Sequence, residues 1–252
     1  MKRIAATLAA VLCLAANSAT ATAINPSGGG DGSEFNMQQI LDGITAGGVS
    51  RVNAFSDYMP DRHDALWTTG GCGTSSATMI LEIAGNTSVN SFGIYDTSNV
   101  NNRAELFSGR AGAGTRVSFS FDRDLTLTVA DYARKTFTDH RFDSNVFGFY
   151  FDNGAGIFYS DTARNADGFD HMVAYASQGG DVSLPGSPAY TPWLPNEYVL
   201  GFEDTYGGGD GDYNDMVLMV ESVAPVPEPG TMLLLGCGFL GLAVYGKRRK
   251  NA

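Results

Sequence analysis

The feature that most constrains this chain is its rhythm. Short aromatic or β-branched runs, each closed by Gly, Asn or Asp, recur between residues 91 and 223 with no long amphipathic helical period among them. Ser91 to Tyr95, Arg116 to Phe121, Leu125 to Val129, Val146 to Phe151, Ile157 to Tyr159, His171 to Ala176, Glu197 to Glu203 and Tyr213 to Val223 read as strands. Arg116 to Phe121 alternates cleanly, with Val117, Phe119 and Phe121 on one face. Many short strands without crossover helices argue against a parallel α/β sheet. They predict an all-β fold, an antiparallel β-sandwich or jelly-roll-like domain. Met37 to Ile44 fits one short helix, and Ala77 to Ala84 is apolar enough for a strand or a helix.

Both ends of the chain are built differently. Lys2 and Arg3 precede the apolar run Ile4 to Ala16, and small residues follow at Ala19, Ala21 and Ala23, the layout of a secretory signal peptide. At the other end Thr231 to Gly246 is apolar and Lys247-Arg248-Arg249-Lys250 follows it. At ~1.5 Å per residue that run spans about 24 Å, short of the ~30 Å hydrocarbon layer, so it forms a marginal transmembrane helix. Its basic end faces the cytoplasm and the bulk of the chain lies outside. The expected organisation is therefore a signal helix over 1–23, an N-terminal arm over 24–64, the β domain over 65–224 and a tail over 225–252.

Without residues 1–23 and 227–252 the chain loses six of its 16 basic residues and one of its 27 acids, leaving a net charge of about −16. That sign argues against nucleic acid and anionic lipid as partners, and favours cations in a hydrated extracellular setting. Cys13, Cys72 and Cys237 fall in the signal, the domain and the tail, so the mature domain has no disulfide of its own.

The acids concentrate in one place. Residues 203 to 215 hold Glu203, Asp204, Asp210, Asp212 and Asp215, and no Lys or Arg occurs between Arg164 and Lys247. Carboxylates that close repel one another unless protons or a cation intervene. Gly207-Gly208-Gly209 lets the chain fold back so that Glu203 and Asp204, ending one strand, face Asp210 and Asp212, starting the next. Asn214 adds an amide oxygen, and the all-oxygen set selects a hard cation, Ca²⁺ first. The spacing is not that of an EF-hand, since Asp215 stands where the loop glycine belongs and a strand-like run follows. The plainer alternative is a solvated surface turn in which Asp, Asn and Gly only cap the backbone. A second oxygen-rich stretch, Asp161 to His171, reads as a polar loop.

An enzymatic alternative rests on other residues. Gly71-Cys72-Gly73-Thr74-Ser75 looks like the nucleophile segment of papain-like cysteine peptidases, with His171 as base and Asp181 as its orienting acid. No Gly-x-Ser-x-Gly elbow, His-Glu-x-x-His pair or phosphate loop occurs. Trp67 and Trp193 can line a sugar surface, though a buried core position is the commoner fate of Trp.

Val226-Pro227-Glu228-Pro229, the apolar run and the basic terminus, in that order, resemble the PEP-CTERM sorting tail of exported Gram-negative proteins. The resemblance implies processing by an exosortase near Pro227, Glu228 and Pro229, with the tail as a transient anchor. The body resembles a β-rich domain of unknown function that accompanies such tails. That likeness rests on Asn90 to Asp96, Phe147 to Tyr150, Asp170 to Tyr175 and the Glu203-Asp204 to Asp215 stretch, across most of residues 65–223. It implies no catalytic activity. The combined expectation is a non-catalytic, calcium-binding surface or matrix protein, partnered by the processing enzyme and by extracellular polysaccharide or surface proteins.

Overall fold

A computed structural model describes residues 34–69, 74–82, 89–109, 111–187 and 189–227. The expected signal peptide, Cys72, Glu228, Pro229 and the expected transmembrane helix lie outside these residues, while Pro227 lies within them. Among the described residues no helix is long and apolar enough to cross a membrane.

Two short helices come first, α1 (Met37–Ile44) and α2 (Asp61–Asp64). The strands among the described residues are β1 (Trp67–Thr69), β2 (Ser75–Glu82), β3 (Ser91–Asp96), β4 (Asn99–Ser108), β5 (Arg116–Phe121), β6 (Thr126–Asp131), β7 (Thr136–Arg141) and β8 (Val146–Asp152). They continue with β9 (Ile157–Tyr159), β10 (Met172–Ala176), β11 (Asp181–Val182), β12 (Thr191–Pro192), β13 (Glu197–Phe202), β14 (Met216–Glu221) and β15 (Val223–Pro225). One sheet runs β15-β1-β8-β3-β4 with β9 against β8, and a larger one runs β10-β13-β14-β2-β5-β6-β7. β11 and β12 form a separate pair. Every pairing is antiparallel, as the short, turn-bounded runs require.

The two large sheets pack face to face through alternate side chains. Phe92 of β3 meets Phe202 of β13 at 5.7 Å between ring centroids, Phe119 of β5 meets Phe147 of β8 at 5.9 Å, and Trp67 of β1 meets Tyr198 at 4.9 Å. These tilted and edge-on contacts suit the ring quadrupoles. Trp67 and Trp193 are both buried, the core fate rather than the sugar platform. The opposite face of the larger sheet is covered as well. Val173, Tyr175, Val199, Val217 and Met219 pack there with Met37, Ile40, Leu41 and Ile44 of α1. Each such aliphatic side chain contributes roughly 1.5–3 kcal/mol when fully buried. Burial on both faces explains why Met216 to Val220 is apolar without alternation. A reciprocal capping box starts α1, with Gln39 N–H donating to Asn36 Oδ1 at 2.9 Å and Asn36 N–H to Gln39 Oε1 at 3.0 Å.

Three strand expectations are corrected. Tyr213 to Val223 is not one strand: Tyr213 to Asp215 stay in the loop, and Ser222 at φ +60° turns the chain into β15, which leaves for the other sheet and pairs with β1. Leu125 has φ +62°, outside the extended region, so β6 starts one residue later than the pattern suggested. β4 and β7 are additional strands. β7 is the edge of its sheet and is exposed along almost its whole length, so no apolar alternation marks it. The ambiguous segment after residue 74 is strand, as β2.

Candidate metal centre

β13 and β14 pair from Glu197↔Glu221 to Phe202↔Met216, and the thirteen-residue connection between them carries the acids. The connection closes on itself through its own carboxylates. Glu203 Oε1 accepts the Tyr213 N–H at 2.7 Å, and Asp215 Oδ2 accepts the Asp204 N–H at 2.8 Å. Two backbone positions make this possible. A Cβ on Gly208, at φ +81°, would land inside the Phe169 ring, and a Cβ on Gly209, at φ +48°, would stand 2.7 Å from Glu203 Oε2. Tyr213 itself adopts φ +57°, a conformation that costs a non-glycine residue energy and persists only where its surroundings fix it.

Of the six residues expected to hold metal, the fold gathers three most tightly. Glu203, Asp210 and Asp212 each place a carboxylate oxygen within 4.8 Å of the other two, and among the described residues no other group of three acids, histidines or cysteines does so. Two ligands on opposite sides of a Ca²⁺ at 2.3–2.6 Å stand about 5 Å apart, so the trio fits one ion. Glu203 and Asp212 are buried and Asp210 faces solvent, giving an entry path. The other three sit around them. Asn214 donates from Nδ2 to Asp212 Oδ2 at 2.8 Å and to the Phe35 carbonyl at 2.9 Å, which aims the Asp212 carboxylate. Asp204 and Asp215 face each other across the Asp204 N–H, half-buried beside the trio.

The electrostatics are those of a site short of positive charge. Burial, with Asp215, Asp212 and Asp210 close by, pushes Glu203 up to about 9. Burial and Asp204 raise Asp215 to about 7. Burial, Asp210 and the carboxylate of Glu34 raise Asp212 to about 6. Glu34 is a neighbour that the sequence pattern did not reveal, since it reaches the loop from far along the chain. Protons relieve the repulsion among the acids at low pH, and a bound cation would do so at neutral pH.

His171 closes one side of the loop. Its Nδ1 is 3.0 Å from the Glu203 carbonyl oxygen and its Nε2 2.9 Å from Asp167 Oδ2. Both partners are acceptors, so a neutral ring donates to only one of them at a time. Phe158 and Phe169 pack on it at 4.4 and 5.2 Å. Asp167 also accepts the Gly207 N–H at 2.7 Å; burial opposes it, but these hydrogen bonds hold Asp167 below the usual carboxylate range. The acid partner of His171 is therefore Asp167 and not Asp181, which is exposed on β11.

Residues 136–223, which include the whole loop, match the family model described as Domain of unknown function (DUF4114). The match begins at β7, so it is narrower than the 65–223 expected and excludes Asn90 to Asp96. Residues 225–250 match the PEP-CTERM protein-sorting motif. No curated protein and no solved structure matches the chain. The fold is β-rich, and the sorting motif implies an exported protein. The motif implies processing by an exosortase, and the body is similar to DUF4114 over residues 136–223.

Proposed function

We propose that the chain is a non-catalytic cell-surface or extracellular protein whose sandwich is stabilised by one Ca²⁺ held between Glu203, Asp210 and Asp212. The observation that carries this reading is the convergence of three carboxylate oxygens within 4.8 Å. Beside them His171 has Asp167 as its partner. Asp204, Asn214 and Asp215 surround the ion and set its ligand geometry. After processing at Pro227, Glu228 and Pro229 the domain is released to the surface or matrix, where polysaccharide or surface proteins are its partners. Against the peptidase alternative stands the engagement of both His171 nitrogens, by the Glu203 carbonyl and by Asp167.

The test is thermal melting of the signal-free protein in excess EDTA, in Mg²⁺ and in Ca²⁺. A rise in Tm specific to Ca²⁺ is expected; equal Tm in all three conditions rejects the metal. Rapid alkylation of Cys72 at neutral pH would revive the enzyme.

A further inference from the structure

One side of the sandwich is open. β4 ends the smaller sheet and β7 ends the larger one, and among the described residues neither edge strand has a partner beyond it. On β6 the inward face carries Leu127 and Val129 into the core. Across the β6–β7 pairing these two stand opposite His140 and Thr138, and Asp131 stands opposite Thr136, so the inward face of β7 is polar. Hydroxyls and an imidazole thus occupy the positions where a closed sandwich would put core residues. Between them and β4 lies a cleft of about 530 Å³, within the roughly 300–1,000 Å³ of small-ligand sites.

Two arginines are fixed in its lining. Arg103 of β4 lies over the ring of the buried Tyr150, its guanidinium carbon 5.2 Å from the ring centroid. Asp152 Oδ2 is 4.0 Å from Arg103 Nη1, too far for a hydrogen bond, and that nitrogen has no other partner. Arg134 ties the β6–β7 turn to the end of β4. Its Nη1 donates to Ser108 Oγ at 2.8 Å, its backbone N–H donates to Asp131 Oδ1 at 3.0 Å, and its Nε stands 3.6 Å from Asp131 Oδ2. Each guanidinium is therefore oriented with donors to spare, because a rigid fork of five N–H groups exceeds the partners present. The charges nearly cancel: Arg103 stands beside Asp152 and Arg134 beside Asp131, while Glu105 adds a further acid. An anionic ligand would meet these three carboxylates, and an apolar one would leave the donors stranded. A hydroxyl both donates and accepts, so neighbouring sugar hydroxyls satisfy a guanidinium and a carboxylate together.

We propose that the cleft between β4 and β7 binds a neutral saccharide, with Arg103 and Arg134 donating to its hydroxyls and Asp131, Asp152 and Glu105 accepting from them. Asn101 on β4 and the polar face of β7 extend these contacts along both edges. The phenol ring in the lining, Tyr150, is buried beneath Arg103, so recognition rests on hydrogen bonds and not on stacking. None of the loop acids Glu203, Asp210 and Asp212 lines the cleft. The proposal gives the polysaccharide partner named above a site, and rests on the surface-protein part of that reading, not on its metal.

The experiment is a printed array of neutral and uronate-bearing oligosaccharides probed with the signal-free protein in EDTA and in Ca²⁺. Affinities for the hits are then measured by titration calorimetry, with folding checked by circular dichroism. Neutral glycans are expected among the hits in both buffers. Arg103→Lys keeps the charge but loses the planar fork, and should bind at least about tenfold more weakly. Thr138→Trp fills the cleft from an exposed edge position and should abolish binding. Asp210→Asn with Asp212→Asn should bind as the native protein does. The proposal is overturned by an array without a neutral hit, by hits confined to uronates, or by either folded cleft variant binding at native strength. If one cleft variant does not fold, the other decides. Binding lost in the loop double variant and kept in Thr138→Trp would move the glycan to the acidic loop and overturn this site. Failure of the metal reading appears separately, as one Tm in EDTA and Ca²⁺ while glycan binding persists.

Discussion

Tyr213 ties Glu203 to Asp170. Its N–H donates to Glu203 Oε1 and its hydroxyl to the Asp170 carbonyl oxygen, each at 2.7 Å. One residue, held at φ +57°, thus links the acidic loop to the segment leading into β10. Tyr213→Phe leaves the Asp170 carbonyl without this donor inside the protein, at a cost of about 1–3 kcal/mol. Urea unfolding should show that loss, and an unchanged midpoint would mean the hydroxyl bond is not worth counting.

Removing the loop ligands should abolish the calcium response and leave the fold. At a hundredfold excess over Kd a single bound ion adds about 2.7 kcal/mol. With Asp210→Asn and Asp212→Asn together, the part of the Ca²⁺-dependent Tm rise that comes from this centre should vanish. A rise of native size in that variant would place the ion elsewhere.

The metal-free protein should lose stability as pH rises. Glu203 at about 9, Asp215 at about 7 and Asp212 at about 6 all stand above the roughly 4 of an unfolded carboxyl. The folded chain therefore holds protons that the unfolded chain releases. The stability these groups contribute is complete below about pH 4 and is lost as pH climbs through about 6 to 9. Saturating Ca²⁺ should flatten or reverse that decline, because the ion requires ionised ligands. Melts in EDTA that become higher between pH 5 and 9 would contradict this.

Breaking the His171 pair should be costly. His171 is wholly buried, and Asp167→Ala leaves its Nε2 without the carboxylate now 2.9 Å away. Asp167 is itself exposed to solvent, so the cost is that of a buried nitrogen left without its acceptor, about 1–3 kcal/mol. The same substitution frees the Gly207 N–H, so weaker calcium binding should accompany the loss of stability. Calorimetry would detect both.

Gly208→Ala should damage the loop more than an exposed glycine would. The added methyl group meets the Phe169 ring, and φ +81° disfavours any side chain. A loss above about 1 kcal/mol is expected, against little effect for Gly43→Ala, where nothing stands within 4 Å. Equal midpoints for the two variants would show that Phe169 yields freely.

Much of this was legible before any coordinates. The strand runs at Ser91, Arg116 and Val146 were visible because their apolar residues face one shared core, and the Glu203-to-Asp215 hairpin because its glycines and acids are local in sequence. β7 was not, since a solvated edge strand needs no apolar period. The cleft between β4 and β7 was equally hidden. Its walls come from the edges of two different sheets, and only the packing of the sandwich brings them together. The role of Glu34 was concealed for the same reason.

The departure of β15 from the larger sheet has a consequence for processing. Val226 N–H still donates to the Leu66 carbonyl at 2.8 Å, so the body of the protein extends to the residue before Pro227. Glu228 is two residues further on, about 7 Å at full stretch. An exosortase acting next to Pro227 would therefore meet the rim of the finished sandwich rather than a free strand of chain.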